Sequence, residues 1–255
     1  MNDGAVRKDT LPLGIIAGTG FYELAALDSP RTREVATPYG PAQVTTGHWH
    51  GRPVVFLTRH GSGHSVPPHL VNYRATIAAL RDLGCVDVVA VNVVGGIDRA
   101  LAPGALVCLD DFIDFTTGRV STFVDGSGPR GVVHTDMLTP YHPVLRARLL
   151  AAAGAAGVPV RDGGVYACFD GPRFETRAEI RMAAAAGAHV VGMTGVPEVV
   201  LALEAGLRYA ALALVVNPAA GLSPEPITMA QISAALDAGR ADVLSILDAL
   251  VDRPD

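Results

Sequence analysis

The sequence predicts an α/β protein with one central sheet flanked by helices, and three observations lead there. Short β-branched runs recur along the chain and are apolar throughout rather than alternating, the pattern of strands buried on both faces. Between them lie stretches of helical periodicity, so strands and helices alternate. At 255 residues, 49% of them hydrophobic and with no stretch resembling a linker, the chain reads as one large domain over 11–251. Residues 1–10 and 252–255 are expected to be flexible ends.

Taken in order, "LGIIA" 13–17 and "PVVFLT" 53–58 read as the first two strands, and a helix is expected near 69–83. "VDVVAVNVV" 86–94 and "ALVCL" 105–109 read as strands, followed by a helical pattern at 141–156. "GVYACF" 164–169 precedes "TRAE" 176–179, a capping box in which Thr bonds forward and Glu bonds back, opening a helix over 176–187. "HVVGM" 189–193 leads into "TGVPE" 194–198, where Thr, Gly and an early Pro suit the start of a helix over 196–206. The run "YAALALVV" 209–216 stops on Asn217-Pro218, and "TMAQ" 228–231 is a second capping box, opening the last helix at 228–251.

Composition excludes several classes. A formal net charge of −5 argues against nucleic acid as a partner. No apolar run approaches the roughly 18 residues of a membrane span, and "MNDGAVRKDT" has no apolar segment behind its charges, so neither a membrane anchor nor a signal peptide is expected. Cys85, Cys108 and Cys168 are widely spaced and lie in or beside apolar stretches, as reduced core thiols of a cytoplasmic protein would. Without Cys or His pairs at ligand spacing, no metal site is expected.

Chemistry concentrates where strands end and helices begin, because unpaired N–H groups and the helix dipole favour anions there. "GTG" 18–20 offers the Thr19 hydroxyl between two flexible residues; a dinucleotide fingerprint would need glycine where Glu23 stands. "TRHGSGH" 58–64 reads either as an anion clamp of Arg59, His60 and His64 or as a solvated loop. "VNVVGGI" 91–97 reads as a bend or as a place where a ligand approaches backbone amides. In "FDGPRFETRAE" 169–179, Phe174 could stack on a flat ring and Glu175 accept from a ring N–H; Glu175 as a complement to the helix dipole is the competing reading.

Together, "GIIAGTG", "NYRATIAAL", "GPRFET", "GMTGVPEVVLA" and "ITMAQI" resemble the trimeric branch of the purine nucleoside phosphorylase and methylthioadenosine phosphorylase family, over roughly residues 13–250. The resemblance implies a single-domain nucleoside phosphorylase fold with a mixed twisted sheet. It also implies cleavage of a purine nucleoside by phosphate, with phosphate as co-substrate and no cofactor. Phosphate ligands then match Thr19, Arg59, His60, the amides around Val93 and Val94, and Thr194, with the last aided by a helix N-terminus. Where methylthioadenosine enzymes carry hydroxyls, this chain reads Asn92-Val93, which shifts phosphate contact to backbone N–H groups or to Asn92. Met193 matches the residue against the ribose, Phe174 the aromatic beside the base, and His134 a histidine that closes the neighbour's pocket in a homotrimer.

The resemblance also bears on the substrate. Phosphate beneath C1′ stabilises an oxocarbenium-like transition state, while Asn217 serves the departing purine at N7, with His60 assisting at the phosphate. Methylthioadenosine enzymes carry Asp-x-Asp where this chain reads Asn217-Pro218-Ala219, and relatives preferring 6-oxopurines pair such an Asn with a Glu placed like Glu175. Inosine and guanosine enzymes hold the 5′-hydroxyl with a His near the start of the last helix, where Met229 stands and would pack on a methylthio group instead. The set thus resembles the bacterial methylthioinosine phosphorylases. An inosine/guanosine phosphorylase, a methylthioadenosine phosphorylase and a nucleoside-binding module without turnover remain the alternatives.

Overall fold

The computed structural model describes residues 11–61, 65–127 and 131–253. The first ten residues, His64 and the last two residues of the "DRPD" tail lie outside the described residues. In chain order the elements are β1 (Leu13–Ala17), β2 (Asp28–Thr37), β3 (Gly40–Trp49), β4 (Arg52–Thr58), a 3₁₀ turn at Pro68–Leu70, α1 (Tyr73–Asp82), β5 (Asp87–Gly96), β6 (Leu106–Cys108) and β7 (Asp111–Asp114). They continue with α2 (Pro143–Ala156), β8 (Val160–Asp162), β9 (Val165–Cys168), α3 (Arg177–Ala185), β10 (Val190–Gly192), α4 (Glu198–Glu204), β11 (Arg208–Pro218) and α5 (Met229–Asp252).

All the strands form one mixed sheet, ordered β2-β3-β4-β1-β5-β10-β9-β7, with β11 joining β5 to β6 and β6 to β8. Its two faces explain the uninterrupted apolar runs. Leu13, Ile15 and Ala17 of β1 and Ala210, Leu212 and Leu214 of β11 pack with α2 and α5 on one side. Ile16, Tyr209, Ala211 and Ala213 pack with α1 and α4 on the other. Neighbouring residues of a strand point to opposite faces, so a strand covered on both sides needs apolar residues at every position. A smaller cluster under α3 joins Ile180 and Ala183 to Ala167, Val191 and Ala219.

Both predicted capping boxes form. Thr176 accepts from Glu179 N while the Glu179 carboxylate accepts from Thr176 N, and Thr228 and Gln231 repeat the pattern. The helix expected at 69–83 divides into the 3₁₀ turn and α1, because the Asn72 side chain caps a new start by accepting from Ala75 N at 3.1 Å. The hairpin β2–β3 was not expected: "DSPRTREVAT" is charged and mostly exposed, so it carries no hydrophobic signal. The short strands β7 and β8 went unread for the same lack of length.

β5 is the organising strand. β11 pairs with it along its length, while β1 pairs with its start (Leu13↔Asp87 to Ile16↔Ala90) and β10 with its end (Val190↔Gly96, Val191↔Gly95). One edge of β5 is therefore shared by two strands that diverge around residues 91–94. Such a divergence opens a crevice at the carboxyl end of β1, as at the switch points of open α/β sheets. A Cβ on Gly96 would lie 2.7 Å from Leu101 O, and one on Gly95 3.2 Å from Val191 Cγ1, so the glycines make room for the protein's own chain. Among the described residues, no helix is long and apolar enough to cross a membrane.

Candidate active site

The crevice holds a cavity of about 220 Å³ lined by Gly18, Thr19, Arg59, His60, Val93 and Val94 at its floor. Thr194, Met193, Phe174, Glu175, Asn217, Met229 and Ile232 also line it. Segments widely separated in sequence meet here: the ends of β1, β4, β5, β10 and β11, the stretch before α3 and the first turn of α5.

Arg59 follows β4 and reaches into the gap, where its Nη1 donates to Val91 O at 2.8 Å. Its Nε and Nη2 donate to the two carboxylate oxygens of Glu198, both at 2.7 Å. The side chains are 1% and 0% exposed, so this is a fully desolvated pair, and Glu198 also accepts from the Tyr209 hydroxyl at 2.6 Å. Burial works against the guanidinium's charge, but the adjacent Glu198 carboxylate more than offsets it and holds the arginine above its ordinary pKa. The two-pronged edge expected to grip an anion is thus spent on Glu198. A guanidinium has five N–H groups, so the remaining hydrogens on Nη1 and Nη2 are what Arg59 can turn toward a ligand.

His60 is oriented by Val66 O, 2.8 Å from its Nδ1. A carbonyl only accepts, so Nδ1 carries a proton in this contact. Thr194 sits after β10, with Asn92 Nδ2 donating to its Oγ1 at 3.3 Å. Asn92 is 1% exposed and stands behind Thr194 rather than on the cavity wall. The N–H groups of Thr194 and Gly195 both donate to the Tyr166 hydroxyl, at 3.0 and 3.2 Å. This corrects the expectation that the helix end beginning with "TGVPE" offers those amides to phosphate, because Tyr166 already occupies them. A Cβ on Gly192 would lie 2.6 Å from the Tyr166 hydroxyl, so glycine is what lets the ring approach.

Glu175 is 7% exposed, and its Oε1 has no hydrogen-bond partner among the described residues. Burial raises its pKa above the ordinary carboxylate value, against a smaller opposing backbone hydrogen bond. The dipole-complement reading does not describe it: Glu179 is the acid of α3's first turn. Phe174 is 43% exposed at the rim. Asn217 owes its orientation to a register irregularity in which Val215 pairs with Val94 and Asn217 with Gly95, leaving Val216 as an extra residue. Such a bulge re-aims the side chain after it. Its Nδ2 donates to Pro218 O at 2.7 Å, which fixes the plane of the amide.

Two residues expected at the site are not on this wall. Pro218 is exposed, and Ala219 is buried in the α3 cluster with its N–H on Gly96 O. His134, expected at a neighbour's pocket, is exposed on the long connection between β7 and α2. Sequence reasoning missed Glu198, Tyr166 and Ile232. Glu198 stands inside the quoted "TGVPE", where a buried acid next to an apolar helix was the available signal; Tyr166 had none.

A family model described as the Phosphorylase superfamily matches residues 12–252. A protein of Xanthomonas campestris named "Probable S-methyl-5'-thioinosine phosphorylase" is 46% identical over 248 residues, covering 96% of this chain and 99% of its own length. The 6-oxopurine nucleoside phosphorylase of Pyrococcus furiosus is 41% identical over 243 residues, 94% of this chain and 91% of its own. Among solved structures, the methylthioadenosine phosphorylase of Schistosoma mansoni, in complex with adenine, is similar with a TM-score of 0.89 and 35% identity, covering 95% of this chain and 91% of that one. With matches that run nearly from end to end and a fold shared along the same length, the chain belongs to the Phosphorylase superfamily.

Proposed function

We propose that the protein cleaves 6-oxopurine nucleosides with inorganic phosphate, S-methyl-5'-thioinosine being preferred and hypoxanthine and 5-methylthioribose 1-phosphate the products. A phosphate oxygen bonds to C1′ as the C1′–N9 bond breaks, and that bond's electron pair leaves on the purine. Thr19, Arg59, His60 and Thr194, with backbone around Val93 and Val94, form the phosphate end of the cavity. The His60 ring borders the phosphate, while Arg59 and the threonine hydroxyls donate to its oxygens. Asn217 offers its second N–H to N7 as charge builds on the leaving base.

One observation carries the base assignment: a buried carboxylate, Glu175, whose Oε1 lacks a partner, lines the same cavity as an amide, Asn217. Ionised, Glu175 accepts from N1–H of a 6-oxopurine, whereas adenine N1 is itself an acceptor. At the sugar end the first turn of α5 supplies Met229 and Ile232, neither of which bonds a 5′-hydroxyl, and both of which suit a methylthio group. The Xanthomonas and Pyrococcus relatives agree on 6-oxopurines.

The Schistosoma structure points toward methylthioadenosine, and one observation favours that second reading. Glu175's pKa is raised, and a protonated Glu175 would donate to adenine N1. A phosphorolysis panel of methylthioinosine, inosine, guanosine and methylthioadenosine, each with and without phosphate, separates the readings. Base release from methylthioinosine that depends on phosphate is the expected result. Methylthioadenosine cleaved as fast as methylthioinosine overturns the base assignment, and purine binding without turnover of any substrate leaves a binding module. The active unit in this proposal is a homotrimer in the cytoplasm, with exposed His134, beside exposed Val132 and Val133, reaching a neighbour's cavity. Three buried free cysteines fit that compartment.

A further inference from the structure

We propose that Arg119 is a positioning residue that clamps the base-binding and phosphate-binding segments into a single frame. It lies on the connection after β7, outside the cavity, yet its side chain is only 4% exposed. Nη2 donates to Asp170 O at 2.9 Å and Met193 O at 2.8 Å, with Phe169 O at 3.3 Å. Nη1 donates to Val196 O at 2.5 Å and to the Tyr73 hydroxyl at 3.3 Å. Nε forms an ion pair with Asp170 Oδ1 at 3.2 Å.

These acceptors are not scattered. Phe169 and Asp170 begin the segment that delivers Phe174 and Glu175. Met193 precedes Thr194, and Val196 lies two residues before Glu198, the partner of Arg59. One planar, permanently charged fork therefore joins the two stretches that set the distance between base and phosphate. These carbonyls lie in irregular segments; the weak Cys168 thiol donor also reaches Val196 O at 3.5 Å and Phe169 O at 3.9 Å, but Asp170 O and Met193 O are left to find water when the clamp is lost.

The loop carrying Arg119 is itself fastened at both ends. Asp170 Oδ2 accepts from Thr117 N at 2.9 Å and Thr117 Oγ1 at 2.8 Å. Glu204, closing α4, accepts from Thr122 Oγ1 at 2.8 Å and Phe123 N at 2.7 Å. Arg119 thus enters from a braced loop rather than a free one. Phosphorolysis needs the nucleophile and the leaving base held on opposite sides of C1′, and a misplacement of about 1 Å can cost on the order of a hundredfold in rate. Arg119 touches neither reacting group; its effect is on the spacing between them.

The kinetic arm rests on the phosphorolysis reading; a second arm does not. Arg119→Met and Arg119→Lys are compared with Arg146→Met, a control in which another arginine bonds backbone carbonyls (Leu109 O at 2.7 Å) away from the cavity. Expected for both Arg119 variants is a fall in kcat/KM on the order of a hundredfold, with KM raised for phosphate and for nucleoside together. Lysine gives no recovery, because its ammonium lacks the planar fork. Arg146→Met keeps wild-type KM values. Amide hydrogen exchange supplies the arm independent of activity: exchange at 169–176 and 193–198 rises together in the Arg119 variants, while β1 and β4 stay protected. If Arg119→Met does not fold, Arg119→Lys decides. Wild-type KM values in a folded Arg119 variant overturn the clamp. If the wild type cleaves no nucleoside, the functional reading fails and exchange alone judges the clamp; unchanged exchange in both segments then overturns it.

Discussion

Replacing Glu198 by glutamine isolates the charge that holds Arg59 in place. The carboxylate is fully buried, and its oxygens accept two guanidinium bonds and one from Tyr209. Glutamine keeps the shape but removes the negative charge, and it turns an amide N–H₂ toward a guanidinium that has only hydrogens to offer. Arg59 stays protonated, since a guanidinium is not deprotonated in proteins. Breaking a buried pair by removing one partner costs about 3–5 kcal/mol, because a desolvated charge is left uncompensated. At about 2–4 °C per kcal/mol for a chain of this size, Tm falls by roughly 6–20 °C. Calorimetry on Glu198→Gln measures this directly. The double variant Arg59→Met/Glu198→Leu, which removes both charges, should be more stable than Glu198→Gln and still fail to turn over. A loss below about 1 kcal/mol in the single variant, or a double variant no more stable than the single one, refutes the argument that a buried charge pair positions Arg59.

Other outcomes follow from the same geometry. Glu175→Gln loses a hydrogen bond to a charged acceptor, about 1.5–3 kcal/mol, so kcat/KM on a 6-oxopurine nucleoside drops by about ten- to a hundredfold. Wild-type kcat/KM rises with pH through the raised Glu175 pKa as the acceptor forms; a profile unchanged in the variant counts against the assignment. The native state holds that proton more tightly than the unfolded chain does. Its contribution to stability is therefore complete below the ordinary carboxylate pKa and is lost as pH rises through the native value, and the Tm difference between wild type and Glu175→Gln tracks that window. Thr194→Val removes a hydroxyl donor to an anion and should raise the KM for phosphate about tenfold, leaving Tm within a few degrees; an unaltered KM removes Thr194 from the phosphate set. Met229→His should narrow the preference for methylthioinosine over inosine, which an unsatisfied 5′-hydroxyl worth about 1–3 kcal/mol sets at roughly ten- to a hundredfold in the wild type. Equal use of both substrates by the wild type leaves an inosine/guanosine phosphorylase in its place.

Much of this protein is written locally. β1, β4, β5 and β11 are legible because strands covered on both faces must be apolar at every position, and Thr176 and Thr228 are legible as helix starts because a capping box closes within four residues. The charged strand β2 is opaque for the complementary reason: most of its residues face solvent, and its backbone pairing with β3 needs no particular side chain. Motif resemblance pointed to Thr19, Arg59, His60, Glu175 and Asn217, but not to how they are held. Arg59 meets Glu198 across 139 positions. Tyr166 takes the amides at 194 and 195, and a bulge set by pairing with β5 turns Asn217. Arg119 gathers carbonyls from two segments. Each of these depends on distances between chain segments that no short stretch of residues encodes. Side-chain chemistry and local caps were set by the sequence itself; which groups share a cavity, and which are already spent on holding it open, was decided only when the sheet brought distant strand ends together.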